Sequence, residues 1–270
     1  MYRIHYARRR RLLAQTAPSH YLAAIGIVVA FAIALTTLTI HFANLKNSFD
    51  LTHLSFGEIL IAALNTFCRM FAAYVLSLTI AIPLALGIAG TPLAQRIFLP
   101  IADVLQSVPV LAFFPIVVAF FAAYRLFELA AVFVIFVQMV WNVVFPVIGG
   151  LQTIPDDIRS AAIVFNVRGV RKFWYITLPA ILPFVVTGSL LAWAQGWTIV
   201  IVAEVLHTYL PKGNPSQDLL GLGTLLVDSN AEGHTGVFTA TLVTMIVLVA
   251  LINLFIWQPL LRFSQRFRFD

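Results

Sequence analysis

Glu204 stands alone among apolar residues in the stretch VIVAEVLH. A carboxylate at membrane depth is costly, so it faces a cavity or a partner. Two roles are open for it. Glu204 shapes the outer gate of a route across the membrane, or it is structural, snorkelling to the interface or capped by the loop that follows. Gln138, Asn142, Gln195, Trp197 and Thr198 form a second set, polar groups set within apolar runs. They either line a route or join helices by the hydrogen bonds that commonly glue membrane helices together. Asp103 and Glu128 begin apolar runs, where an acid favours a helix N-terminus. Nucleotide, metal and acyl-transfer chemistry find no support. Lys46, Lys172 and Lys212 follow Leu, Arg and Pro, so none belongs to a phosphate-cradling Gly-Lys-Ser/Thr loop. His5, His20, His41, His53, His207 and His234 are scattered without ligand-like spacing. No nucleophile-elbow pattern is present either. If ATP drives this protein, another chain hydrolyses it.

The elements that carry these residues follow from composition. Of 270 residues, 61% are hydrophobic and 10% charged, which suits a bilayer and not water. A helix needs about 20 apolar residues to cross the hydrocarbon. Six runs qualify, at 21–42, 60–90, 100–122, 126–149, 180–206 and 236–260. Helices are the expected form, because lipid cannot satisfy open backbone groups. The run 21–42 follows the basic stretch Arg8 to Arg11. Its length and the absence of a small-residue cleavage pattern predict a retained anchor and not a signal peptide. Pro83, Pro109, Pro115 and Pro146 lie within runs and are candidates to bend helices. The single cysteine, Cys68, cannot form an internal disulfide.

Six spans place both termini on one side. With the N-terminus in the cytoplasm, thirteen of the seventeen Lys and Arg residues fall inside. Lys46, Arg69, Arg125 and Lys212 fall outside. That asymmetry predicts a multi-pass protein with both termini cytoplasmic. It also predicts a basic N-terminus at 1–20, a six-helix domain at 21–260 and a basic tail at 261–270.

The longest cytoplasmic connection, 150–179, contains RSAAIVFNVRGVRKFWYITLP. Pro155, Asp156 and Asp157 make a good helix start. Ala161, Ala162 and Phe165 are expected on one apolar face. Gly169 marks a helix end or turn. A second short amphipathic piece holds Phe173, Trp174 and Ile176 beside Arg171 and Lys172, with Pro179 expected to stop it. Two roles are open here as well: a hairpin on the inner leaflet, or a docking surface with an aromatic anchor. On the outer side, SQDLLGLGTLLVDSN is expected to hold a short helix with an apolar face of Leu219, Leu220, Leu222 and Leu225.

The loop resembles the coupling motif of binding-protein-dependent ABC importer permeases. That pattern reads Glu-Ala-Ala, three residues, Gly, nine residues, Ile, one residue, Leu-Pro. Ala161, Ala162, Ile176, Leu178 and Pro179 match it, while Ser160 stands in the glutamate position and Asn166 in the glycine position. Asn is the residue best able to take the positive φ of that glycine. The resemblance extends over about 58–260 and includes WNVVFPVIGGLQTIP, AWAQGWTIVIVAE and GLGTLLVDSNAEG. The last two look most like the nitrate, sulfonate and taurine branch.

The resemblance implies an all-α membrane protein of type I importer architecture, with a coupling helix between the fourth and fifth spans. It implies a permease subunit of the bacterial inner membrane, not itself an enzyme, importing a small anion or organic acid such as nitrate, sulfonate, taurine or bicarbonate. Its partners would be a second permease subunit, two cytoplasmic ATPases that bind ATP and Mg, and a periplasmic or lipid-anchored binding protein. No cofactor is expected in this chain. Ser160, Ala161, Ala162, Phe165, Asn166, Gly169, Phe173 and Pro179 would contact the ATPase. The other classes weighed are an ATP-independent carrier or channel, which predicts an inverted repeat that is not visible, and a membrane enzyme, which needs a catalytic cluster.

Overall fold

The structure, a computed structural model, describes residues 56–210, 213 and 217–267. The first apolar run, 21–42, the basic N-terminus, Lys212 and the last three residues of the tail lie outside the described residues. Helix α1, Phe56–Ala89, is 34 residues long. At 1.5 Å per residue it is about 50 Å in length, longer than a hydrocarbon core of about 30 Å. Thr91 caps α2, Pro92–Ser107, by accepting a 3.1 Å hydrogen bond from the Ala94 amide. Helices α3, Val110–Ala123, and α4, Phe127–Gln152, follow.

The run 100–122, expected as one span, is not one helix. The chain bends by 84° between α2 and α3. Val108, held extended at φ −72 and ψ 121, precedes Pro109. A proline disfavours helical backbone in the residue before it and has no N–H to continue the ladder. Asp103 therefore lies in the last turns of α2, not at the start of a span. Among the described residues, four helices are long and apolar enough to cross a membrane, or five crossings exist if α2 and α3 together make one.

Helix α5, Asp156–Val164, occupies the connection after α4, and α6, Gly169–Lys172, follows it. Pro179 does not stop the second piece. Helix α6 runs through a π-turn at Phe173–Thr177 into α7, Leu178–Glu204, as one continuous apolar unit. The Leu178 amide donates to the Phe173 carbonyl, and the widened turn accommodates the missing N–H of Pro179. The same device recurs later. Helix α9, Thr235–Ile252, passes through a π-turn at Asn253–Trp257 into α10, Gln258–Ser264, just before Pro259. Between α7 and α9 lies α8, Leu222–Ala231. Leu219 and Leu220 precede this helix and are not on its face.

The core is the junction of α1, α4 and α7, filled by Met70, Ala73, Val134, Ile135, Val143 and Val200. Lipid is as apolar as these side chains, so association depends on close packing. Gly188 of α7 provides it. A Cβ there would stand 2.6 Å from the Asn142 carbonyl oxygen of α4.

Candidate functional site

Two polar sites and one exposed surface stand out on this scaffold. The first polar site joins the N-terminal half of α1, the first turn of α4 and the C-terminal end of α7. Arg69 of α1 is 5% exposed. Its Nε and Nη2 donate to the Glu128 carboxylate at 2.6 and 2.8 Å, a two-point contact at the first turn of α4. Its Nη1 donates to Glu204 Oε1 at 2.9 Å and to the Leu220 carbonyl at 3.1 Å. Glu204, at the end of α7, is 0% exposed. It also accepts from Thr66 Oγ1 at 2.7 Å and from the Gly223 amide at 2.7 Å. Thr66 Oγ1 in turn accepts from the Leu222 amide at 2.9 Å. One guanidinium thus faces two carboxylates, and the buried one also bonds Thr66 of α1 and the segment that returns over it.

This geometry decides between the structural options for Glu204. The side chain does not snorkel to the interface; the loop that follows caps it. It lies against Gly221, where a Cβ would run into the carboxylate itself. Glycine is needed there for close approach. Arg69, Thr66, Gly221 and Gly223 carry no local pattern that marks them as partners of Glu204. Nearby, the His207 amide donates to Asp218 at 2.8 Å, and the His207 ring contacts the other Asp218 oxygen at 2.5 Å. In α8, partial burial first, and then Asp218 and Glu232, push the Asp228 carboxyl above its usual range.

The second polar site is a cavity of about 170 Å³ near the middle of α4 and α7, beside the break between α2 and α3. Gln106, Gln138, Asn142 and Gln195 bring carboxamides to it, with Trp141 and Val110 among its apolar walls. Gln138 Nε2 donates to Gln195 Oε1 at 3.0 Å, across α4 and α7. Asn142 Nδ2 donates to the Gln138 carbonyl at 3.0 Å, one turn back. Thr198 shares the exposed face of Gln195 and donates to its carbonyl at 2.7 Å. Trp197 does not belong to the cavity. Two residues along a helix is about 200° of rotation, so it turns into the core. Glu204 does not line the cavity either.

The exposed surface is the connection after α4. Asp156 and Asp157 begin α5, and Arg159 donates to the Leu151 carbonyl at 3.0 Å, satisfying the end of α4. The helix closes in a Schellman turn. The Val167 amide reaches the Ala162 carbonyl at 2.8 Å, the Asn166 amide reaches Ile163 at 3.0 Å, and Asn166 sits at φ +52. Asn therefore performs the backbone task of the glycine in the matched motif. One expectation fails: Ala162 and Phe165 do not share a face. Ala162 is 3% exposed, turned into its own subunit, whereas Phe165 is 78% exposed beside Ile163 and Val164. The positions are three apart, but Phe165 has left the helix as its C-cap residue, so helical spacing no longer relates them. Ser160, Ala161, Asn166 and Gly169 are also exposed, and Phe173 is half-buried.

The described residues thus combine several candidate membrane spans, one of them broken, with a polar cavity between helices and an exposed helical loop. Residues 77–266 match the family of binding-protein-dependent transport system inner membrane components, and the chain belongs to that family. It resembles the MetNI methionine ABC transporter in inward-facing conformations, with TM-score 0.56 and 18% identity over 82% of this chain and 99% of that one. That likeness shows the type I importer permease fold. The chain is 33% identical to the nitrate import permease protein NrtB of Leptolyngbya laminosa over 138 residues, covering 51% of this chain and 48% of that protein. It is 29% identical to the bicarbonate transport system permease protein CmpB of Synechocystis over 62% of this chain and 55% of that one. It is 23% identical to the taurine transport system permease protein TauC of Escherichia coli over 51% and 49%. The match spans about half the length of these curated relatives. The family is a membrane permease of the inner membrane and not itself an enzyme.

Proposed function

We propose that this chain is the permease subunit of an ATP-driven importer for a small oxyanion or organic acid of the nitrate, bicarbonate, sulfonate or taurine kind. Two permease subunits would enclose the route. Two separate ATPases, binding ATP and Mg, would dock on the loop at 156–175, and a binding protein would deliver substrate from outside. Both termini and the loop would lie in the cytoplasm, a placement that the basic residues of the loop and tail support. The observation that carries this reading is the exposed apolar group Ile163, Val164 and Phe165. It is held rigidly by the Schellman turn. An apolar tip beside Arg168 and Arg171 suits a groove in a soluble partner. Gln138, Asn142, Gln195 and Thr198 belong to the route. Glu204 and Trp197 support it from behind.

The test is uptake by proteoliposomes holding the permease, its neighbouring ATPase and binding protein. Nitrate, bicarbonate and taurine are each supplied outside, with or without ATP inside. The expected result is uptake of at least one of them only with ATP. Uptake that continues without ATP and follows the ion gradient would make the chain a secondary carrier and overturn the proposal.

A further inference from the structure

The cavity beside the helix break carries four carboxamides, and its lining residues carry no formal charge. Gln195 and Gln106 are both exposed, and Gln195 lies within a helix long and apolar enough to cross a membrane, where lipid contact would leave its amide unsatisfied. This face therefore lines water or protein, not hydrocarbon. The hydrogen bond from Gln138 occupies Gln195 Oε1 and leaves the Gln195 NH₂ as a donor group. Among the described residues, Gln106 makes no side-chain hydrogen bond. Among the described residues, the NH₂ groups of Gln195 and Gln106 are thus donors without a protein partner at the cavity, while the Gln195 oxygen already accepts one bond.

The geometry points to a transit site for a small oxyanion, in which the Gln195 and Gln106 amides donate to the ion and Gln138 is the positioning residue that holds Gln195 in its donor orientation. This deepens the importer reading and rests on it. A cavity of about 170 Å³ suits an ion of a few heavy atoms with part of its water. The absence of a lysine or arginine from the lining has a consequence for rate. A pathway site must bind well enough to admit an ion and weakly enough to release it. Neutral donors replace part of the hydration shell without forming an ion pair that holds the ion. Recognition strong enough to concentrate substrate then falls to the binding protein, and the permease supplies a site that the ion leaves readily.

The experiment uses the complete importer in proteoliposomes with nitrate as the probe. Assembly of each variant is checked by co-purification with the ATPase. Gln195→Glu keeps the shape and sets a negative charge at the donor position. Gln195→Leu removes the donor without adding charge. Gln106→Glu adds the same charge at an exposed position that leaves the Gln138–Gln195 bond untouched. The initial rate of nitrate uptake should fall by about tenfold or more with either Glu variant, because like charges a few ångströms apart repel strongly outside bulk water. It should fall less with Gln195→Leu. Gln138→Leu should resemble Gln195→Leu, and Gln195→Asn should recover part of the rate. Glu variants that assemble and carry nitrate as well as the Leu variant or the wild type would overturn the site while leaving the importer reading intact. A wild type that takes up taurine but not nitrate would overturn the small-ion assignment alone. A wild type that takes up no substrate with ATP would remove the importer reading itself.

Discussion

At the scale of single residues, the controlling fact is that Glu204 has no access to solvent and several donors around it. Exchanging it for glutamine tests what the carboxylate does. A carboxamide has one oxygen and one NH₂, so in either orientation a donor faces a donor, Gly223 N–H or the Arg69–Thr66 pair. Losing one such bond while leaving its partner buried costs about 1–3 kcal/mol. Glu204→Gln is therefore expected to lower the thermal stability of the detergent-solubilised subunit, with uptake falling in proportion to folded protein. Unchanged stability with slowed uptake would instead give Glu204 a direct part in gating. The sequence singles out Glu204 because a lone acid in an apolar run is anomalous by type. It does not reveal the partners, since Arg69 is 135 positions away and Thr66 is 138. Two donors in this site, Gly223 and Leu222, offer only backbone amides, which no residue type announces. The amide set of the cavity was more accessible, because Gln138, Asn142 and Gln195 recur at positions that helices can bring together. Trp197 is a polar-tipped residue of the same run as Gln195, and the helical turn carries it into the core instead.

At the scale of elements, prolines shape the chain more than their number suggests. Pro109 breaks a run whose composition alone reads as one crossing, and the 84° bend brings Gln106 and Val110 to the cavity. Pro179 and Pro259 have the opposite outcome: a π-turn precedes each, and the helix continues. Sequence separates these cases poorly. A proline's local constraint is the same in each, yet the ladder stops at Pro109 and widens before Pro179 and Pro259. The loop at 156–175 was more legible, because acids after a proline and an Asn at the turn position have direct backbone consequences. Its outward face was not legible, since the cap geometry at Phe165 interrupts helical spacing. On the proposed reading, the exposed Phe165 meets the ATPase and the buried Ala162 does not. Phe165→Ala should weaken ATPase association by about 1 kcal/mol or more, as truncation of an interface anchor does. Binding of the ATPase to the purified permease, measured by titration, checks this. Affinity equal to wild type would place the docking surface elsewhere on the loop.

At the scale of the whole molecule, the ionic junction and the apolar loop lie at opposite ends of the same helices. Arg69, Glu128 and Glu204 tie α1 to the start of α4 and the end of α7, and the π-turn joins the loop to the start of α7 as one continuous unit. On the proposed reading, a push on the loop would reach a helix bundle whose far end is tied together, with the amide cavity between the two. This account holds only if the loop at 156–175 faces the compartment that contains ATP. With Cys68, which is exposed, replaced by serine, single cysteines at the exposed positions Arg168 and Glu232 report the two sides directly. In intact cells, an impermeant thiol reagent should label the cysteine at position 232 and spare the one at 168 until the membrane is opened. Labelling of position 168 in intact cells, with 232 protected, would contradict it.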